Sequence, residues 1–196
     1  MHRWFLIPAA LALMLAVAPL AQAAPAHVRV EGKTRTIFGA NEPLIDSSTP
    51  LAALEAASVR GEFYYHLAST QFGNYVDQIG RFAAAGTGGW VFKVNGVLPP
   101  VGADQVQLKR GDHVLWYWAT FNGPAGPPTL ELRRMPHGCY RVLAQDDQGT
   151  TTPARGSTLT MGGRRVATKN ARACPGRHRG AVRATRPGAI RSNTLA

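Results

Sequence analysis

The segment of residues 88–121 constrains the fold most, because it holds three of the four tryptophans and alternates its side chains between two faces. This period of two is typical of β-strands. In the first strand one face carries Trp90, Phe92 and Val94, and the other carries Val91, Lys93 and Asn95. Asn95 and Gly96 tolerate the positive φ of a tight turn. Residues 113–121 predict an aromatic strand, with Val114, Trp116 and Trp118 on one face and Leu115 and Tyr117 on the other.

The sequence before this segment predicts further strands. Residues 27–32 and 34–38 alternate around a short turn and predict a β-hairpin, and residues 63–68 predict a third strand. Residues 41–48 and 81–89 are expected to be loops, because Gly, Asn, Ser or small residues dominate them. These strands and the tryptophan-rich segment predict one mixed sheet.

A single helix is expected to cross this sheet. Thr49 marks its start, because the hydroxyl can accept an early backbone N–H, and Pro50 follows where a missing donor costs nothing. Leu51 and Leu54 then recur at helical spacing, and Gly61 is the expected stop.

Residues 122–128 mark a boundary, since three of the seven are proline and two are glycine. Such a segment forms a short, stiff linker. Beyond it, short strands separated by Gly and Pro are predicted at residues 129–132, 140–144, 157–160, 164–168 and 181–184. The expected fold is therefore mainly β: a β-grasp-like α+β domain with one helix over residues 27–121, followed by a small antiparallel β-sandwich over residues 129–196.

Five sequence blocks carry a resemblance to a known family. They are TPLAALEAA (49–57), FGNYV (72–76), GWVFKVNG (89–96), PPVGAD (99–104) and LKRGDHVLWY (108–117). In this order they resemble the transcobalamin-like C-terminal domain family, over about residues 27–121. The resemblance implies a secreted β-grasp-type module, and it makes cobalamin a possible ligand.

The second part of the chain shows a separate likeness. The run TPARGS (152–157) and the later turn at Gly162 and Gly163 resemble transthyretin-like or carboxypeptidase-regulatory-like modules. That resemblance also implies a small antiparallel sandwich.

The N-terminus predicts export. Arg3 precedes an apolar run that ends at Ala21-Gln22-Ala23, which is typical of a cleaved signal peptide over residues 1–23. An uncleaved N-terminal anchor is the alternative, and no transmembrane span is expected after cleavage. Cys139 and Cys174 are the only cysteines. In an oxidising compartment they are expected to form a disulfide, with two free thiols as the alternative and a zinc site excluded by their spacing.

The net charge of +11 is unevenly placed. Residues 24–128 hold eight Lys or Arg and eight Asp or Glu, whereas residues 129–196 hold thirteen against three. Such a surface favours anionic partners such as an envelope polymer or phospholipid head groups, and Arg164, Arg165, Arg177 and Arg179 are the expected contacts. An unknown small molecule or protein is the other expected partner. The arginine content of a GC-rich genome is the alternative explanation. Nucleic acid is not expected as a partner.

No catalytic motif is present: the chain lacks a nucleophile elbow, a P-loop, a zinc-protease motif and a dinucleotide fingerprint. The chain is therefore predicted not to be an enzyme, and no cofactor or metal follows from the residues. Asp146-Asp147, with Gly149 close behind, is typical of a turn. The tripeptide Arg110-Gly111-Asp112 also reads as a turn before the last strand, although it invites an adhesive role.

The function predicted from these features is a secreted, non-catalytic binding module of the cell envelope or exterior. Tyr117 with either Lys93 or Asn95 is expected to line an exposed amphipathic patch on the two aromatic strands. The predicted ligand-binding residues are Trp90, Phe92, Lys93, Asn95, Trp116, Tyr117 and Trp118. A structural or adhesive surface protein and a corrinoid-type small-molecule binder are the alternatives. An aromatic cleft beside Trp90 would favour a ligand, and buried tryptophans would favour a structural role.

Overall fold

The computed structural model describes residues 22–70, 73–123 and 125–196, so most of the predicted signal peptide lies outside the described residues. The first part of the chain forms β1 (Ala24–Glu31), β2 (Thr36–Phe38), β3 (Leu44–Ser47), α1 (Pro50–Gly61), β4 (Tyr65–Thr70), β5 (Gly73–Ile79), β6 (Phe82–Ala83), β7 (Gly88–Val94) and β8 (His113–Thr120). The second part forms β9 (Thr129–Met135), a 3₁₀ turn (Pro136–Gly138), β10 (Cys139–Gln145), β11 (Thr151–Pro153), β12 (Thr158–Met161), β13 (Arg164–Ala167), β14 (Arg172–Ala173), β15 (Val182–Thr185) and β16 (Thr194–Leu195).

The first sheet has the strand order β2-β1-β8-β7, with β3 paired to the first half of β1. β1 and β8 run parallel, whereas β7 and β8 are antiparallel. Trp90 lies opposite Trp118 and Phe92 lies opposite Trp116. The predicted division of both aromatic strands into two faces is therefore confirmed.

The helix α1 covers the tryptophan-bearing face of this sheet. Ala53, Leu54 and Ala57 are buried against it. The small sheet β4-β5-β6 completes the same core through Val76 and Ile79. One helix crossing a mixed sheet is the predicted β-grasp-like arrangement.

The start of α1 is as predicted, and its end differs in detail. The Thr49 Oγ1 accepts a hydrogen bond from the Ala52 N–H at 3.1 Å, and Pro50 opens the helix. Gly61 is the last helical residue, and Glu62 rather than a glycine takes the left-handed conformation, with φ of 50°. A Cβ on Gly61 would lie 2.6 Å from the Phe38 ring, so the glycine serves close packing here.

Two segments that were expected to be loops contain short strands. Residues 41–48 include β3, which pairs antiparallel with β1, and residues 81–89 include β6 and the first residues of β7. These short strands are held by backbone hydrogen bonds to neighbouring strands. Because the pairing involves backbone groups, the side chains of so few residues do not reveal it in the sequence.

The second part forms two sheets packed face to face. In the first, β10 pairs with β9, β11 and β14, and the second has the order β13-β12-β15-β16. Their shared core includes Leu130, Tyr140, Val142, Leu159 and Val182. The predicted antiparallel sandwich is confirmed, and so is the disulfide between Cys139 and Cys174.

The two parts pack directly on each other. Ile190 of the second part packs against the second face of the first sheet, which is formed by Leu115, Tyr117 and Ala119. We call this contact region between the two parts the seam. Two main-chain hydrogen bonds cross it, from the Thr194 N–H to the Ala40 carbonyl and from the Leu98 N–H to the Asp147 carbonyl, both at 2.8 Å. The division into separate domains at residues 122–128 stays a prediction.

Candidate functional site: an apolar pocket beside Trp90

An apolar pocket of about 230 Å³ opens beside Trp90. Strands β5 and β7, the first turn of α1 and the loop of residues 98–104 enclose it. Two polar side chains, Asn74 and Asp104, lie among its walls. The other wall residues are Leu51, Leu67, Tyr75, Val76, Trp90, Val91, Phe92, Leu98, Pro99, Gly102, Ala103 and Trp116. Mostly apolar walls with few polar groups are typical of small-molecule sites.

Strand alternation places the aromatic walls of this pocket. Trp90 and Phe92 share a face of β7, and Trp116 lies opposite Phe92 on β8, with 5.1 Å between the two ring centroids. The Trp90 indole N–H donates to the Phe82 carbonyl at 2.7 Å, and that of Trp116 donates to the Pro50 carbonyl at 3.1 Å. Because both polar groups are engaged, the indoles offer the pocket only apolar ring surface.

The mouth of the pocket is held in shape by backbone hydrogen bonds and is partly apolar. The Leu51 N–H donates to the Ala103 carbonyl at 3.0 Å, which fastens the loop of residues 98–104 to the helix. Tyr75, which lines the pocket, stays 50% exposed, and Val101, in the loop of residues 98–104, stays 44% exposed. Exposed apolar side chains around a concave apolar site indicate a surface that a ligand can cover.

Trp118 lies outside the walls of the pocket. It packs edge-on against Trp90, with 5.8 Å between the ring centroids, and also contacts Phe82. A Cβ on Gly88 would lie 2.6 Å from the Trp118 ring, so the glycine makes room for it. Trp118 therefore supports the pocket by packing.

Lys93 and Tyr117 lie on the opposite face of the sheet, and the exposed patch expected there is wrong. Lys93 is fully buried and Tyr117 is 1% exposed. The Lys93 Nζ donates to the Asp146 carbonyl at 2.7 Å and forms an ion pair with Asp147 Oδ1 at 3.2 Å. Burial lowers the pKa of Lys93, while the hydrogen bond and charge of Asp147 oppose this shift. Burial likewise raises the pKa of Tyr117.

Asn95 occupies the turn that its sequence predicts. Its φ is 51°, and Val94 and Val97 exchange backbone hydrogen bonds across Asn95 and Gly96. The Asn95 Oδ1 accepts from the His113 N–H, and its Nδ2 donates to Asp112 Oδ1, both at 2.9 Å. The Asp112 Oδ2 accepts from the Lys109 N–H at 2.7 Å, so residues 109–112 form the expected turn.

A second, polar cleft of about 310 Å³ lies at the seam between the two parts. Its charged lining residues already pair with one another. Arg29 Nε lies 3.0 Å from Glu42 Oε1, His113 Nδ1 lies 3.2 Å from Glu42 Oε2, and Arg133 pairs with Glu131. The hydrogen bond to Glu42 is the main cause that raises the pKa of His113. Because these side chains pair with one another, the cleft carries little net charge that could attract a ligand.

The predicted anionic-surface contacts lie together at one end of the second part. Arg164, Arg165, Arg177 and Arg179 are all exposed. The turn before β13 touches the loop that carries the other pair, because a Cβ on Gly162 would lie 3.3 Å from the Arg179 carbonyl oxygen. Positive charge therefore gathers on one surface.

Neither a metal centre nor a membrane-spanning helix was found in the described part of the chain. No group of three or more His, Cys, Asp or Glu side chains there is arranged to hold a metal ion. Among the same residues, no helix has the length and apolar character needed to span a bilayer.

Sequence reasoning missed the half of the pocket that comes from outside the aromatic strands. Leu67, Tyr75, Pro99 and Asp104 line it, although strand alternation gives no reason to group them. The pair Pro99-Pro100 signals that the loop of residues 98–104 cannot continue a strand, but nothing in the sequence connects this loop, or Leu67 and Tyr75 on β4 and β5, to the tryptophan face.

Comparison with known proteins gives a family-model match and a structural likeness. Residues 53–120 match the model of a domain of unknown function, DUF4430. No curated protein matches the chain in sequence. The fold is similar to the crystal structure of a candidate metal-binding protein from Ruminococcus gnavus, with 15% identity, a TM-score of 0.39, and coverage of 50% of this chain and 98% of that one. The transcobalamin-like resemblance is not confirmed by these comparisons.

Proposed function

We propose that the chain is a non-catalytic binding module that works outside the cytoplasm and holds a small, largely apolar molecule in the pocket beside Trp90. The observation that carries this proposal is the pocket itself, walled by Trp90, Phe92 and Trp116 and left open at Tyr75. The disulfide is compatible with an oxidising compartment.

The size of the pocket limits the ligand. Its volume of about 230 Å³ is below the roughly 300–1,000 Å³ typical of sites for drug-sized ligands. A small molecule fits inside it, or one apolar edge of a larger molecule enters while the rest stays outside. Cobalamin, which the transcobalamin-like resemblance implies, belongs to the second kind. Asp104 at the wall favours a ligand that carries a hydrogen-bond donor or a positive charge.

The basic surface of the second part would attach this module to anionic surfaces of the cell envelope. Arginines that face solvent attract anionic polymers or lipid head groups, and this attraction weakens as salt rises because the Debye length is about 8 Å at physiological ionic strength. Attachment through this surface would place the pocket at the cell envelope.

The test is a metabolite pull-down with the mature chain, with cobalamin included as a separate titration. The Tyr75→Ala variant removes a ring, 50% exposed, from the pocket wall, and Tyr64→Ala removes a somewhat more exposed ring, at 59%, that does not line the pocket. We expect the parent chain and Tyr64→Ala to retain the same molecule and Tyr75→Ala to lose roughly tenfold in affinity.

The alternative function is a structural or adhesive surface protein. The burial of the three tryptophans, at 9%, 2% and 8% exposure for Trp90, Trp116 and Trp118, favours this alternative. If no small molecule is retained by any variant, the pocket is a packing feature and the structural role is correct.

A further inference from the structure

A third cavity, of about 350 Å³, lies at the basic end of the second part. The end of β9 and the loop of residues 176–181 form its walls, and Arg134, Arg177, His178 and Tyr140 line it. No Asp or Glu side chain of the described residues lines it, but Ala196, the last residue of the sequence, is part of the wall, and its oxygen accepts a hydrogen bond from Arg134. Arg177 has no such partner within the described part of the chain, which distinguishes this cavity from the seam cleft, where the Arg and His side chains pair with Glu42 or Glu131.

The loop that forms one wall is fixed in place. The disulfide ties Cys174, two residues before Gly176, to the first residue of β10. The backbones of Gly138 and Gly176 are in contact, since a Cβ on Gly138 would lie 2.9 Å from the Gly176 carbonyl oxygen. A rigid wall lets the cavity keep its shape before a ligand arrives.

The polar groups of this cavity are only partly satisfied. Tyr140 is 3% exposed, and its hydroxyl lies 2.8 Å from His178 Nε2. When Tyr140 donates this bond, the proton of the neutral imidazole is on Nδ1, and this buried nitrogen has no partner among the described residues. Arg134 donates one hydrogen bond, to the Ala196 oxygen, and the Arg177 guanidinium has no hydrogen bond or ion pair within the described residues.

We propose that this cavity binds a phosphate group, either free or as part of a phospholipid head group. The unpaired Arg177 guanidinium can offer paired N–H donors to phosphate oxygens, and Arg134 can offer the N–H donors that Ala196 does not use. The buried Nδ1 of His178 is closed to solvent and is not one of these donors. Arg164 and Arg165 lie beside the same loop and extend the positive field outward. This inference rests on the proposed attachment to anionic surfaces, and it assigns that attachment a defined site.

The test measures phosphate affinity by calorimetric titration of the full mature chain with inorganic phosphate. Arg177→Gln removes the unpaired guanidinium of the cavity. Arg155→Gln is the matched control, because Arg155 is exposed in the same part of the chain, does not line the cavity, and loses the same charge. We expect Arg177→Gln to weaken phosphate binding roughly tenfold and Arg155→Gln to weaken it less than twofold.

Vesicle sedimentation distinguishes the two sources of phosphate. Vesicles of phosphatidylglycerol should bind the parent chain more tightly than vesicles of phosphatidylcholine, and millimolar inorganic phosphate should release the chain if the head group occupies the cavity. Binding of inorganic phosphate without vesicle binding assigns the cavity to free phosphate.

Equal losses for Arg177→Gln and Arg155→Gln would overturn the proposed site while leaving the general electrostatic attachment intact. Absence of both phosphate and vesicle binding would overturn the site and the attachment together. Because Arg177 is exposed, the variant is expected to fold, and its thermal unfolding midpoint should match that of Arg155→Gln.

Discussion

At the scale of single residues, Lys93 connects the two parts of the chain. A fully buried ammonium group is costly unless each of its donors finds a partner. The Asp146 carbonyl and the Asp147 carboxylate supply those partners, and the Tyr117 ring lies 5.8 Å from the Nζ atom. Lys93 is therefore satisfied only when the second part is in place.

Replacing Lys93 should destabilise the whole protein. In Lys93→Met the aliphatic stem keeps its packing, but the partly buried Asp147 carboxylate loses its counter-ion, and we expect a loss of about 2–4 kcal/mol in the free energy of unfolding. Urea unfolding measures it, with Lys109→Met, an exposed lysine, as control. The double variant with Asp147→Asn should lose less than the sum of the single variants. A Lys93→Met protein as stable as Lys109→Met would show that the buried pair contributes nothing.

At the scale of elements, the helix α1 links the sheet to the pocket. Its first turn supplies Leu51 to the pocket wall and the Pro50 carbonyl to the Trp116 indole. Its position depends on the Thr49 hydroxyl, which satisfies one of the N–H groups that the first turn leaves unpaired.

Removing that cap should loosen the helix start without unfolding the sheet. Thr49→Ala is expected to cost about 1 kcal/mol in the free energy of unfolding, and Thr49→Ser, which keeps the hydroxyl, should restore most of it. Thermal denaturation followed by circular dichroism compares the three proteins. Equal midpoints for the alanine and serine variants would exclude a capping role.

Elements differ in how well their sequence predicts them. The faces on which Trp90 and Trp118 lie follow from local alternation, and Thr49-Pro50 marks the helix start, because both depend on neighbouring residues. The register that sets Trp90 opposite Trp118 does not follow from alternation. The burial of Lys93 was not predictable in this way. Its partners belong to the turn at Asp146-Asp147, which the sequence correctly predicts as a turn but does not connect to β7. The aromatic wall of the pocket could be predicted, because its residues alternate within single strands. The wall formed by the loop of residues 98–104 could not, because it depends on contacts between distant segments.

At the scale of the whole molecule, the seam holds a buried ionic cluster. Glu31 is fully buried, and Arg29, Arg183 and Arg191 surround its carboxylate. Arg183 and Arg191 come from the second part, so separating the parts would leave a buried carboxylate with fewer counter-ions. The two parts are thus expected to unfold together, although the linker between them has the composition of a boundary.

A cut in the linker should therefore not release the two parts. Limited proteolysis is expected to cleave first between Asn122 and Pro128, because residues 122, 123 and 125 are exposed. The nicked protein should elute at the position of the intact chain in native size-exclusion chromatography and separate only in denaturant. Two fragments that elute apart under native conditions would show that the seam is weak, and the intact protein at low protease concentration serves as the reference.

The parallel pairing of β1 with β8 also sets the order in which the molecule can assemble. β1 is the first strand of the described residues, and roughly 80 residues separate it from β8, beside which it lies. Because a chain is made from its N-terminus, the apolar residues of β1 stay without this partner until β8 has been added. Until then only the shorter partners β2 and β3 can shield it. The first sheet is therefore expected to form late in folding, because its central pairing joins distant segments of the chain.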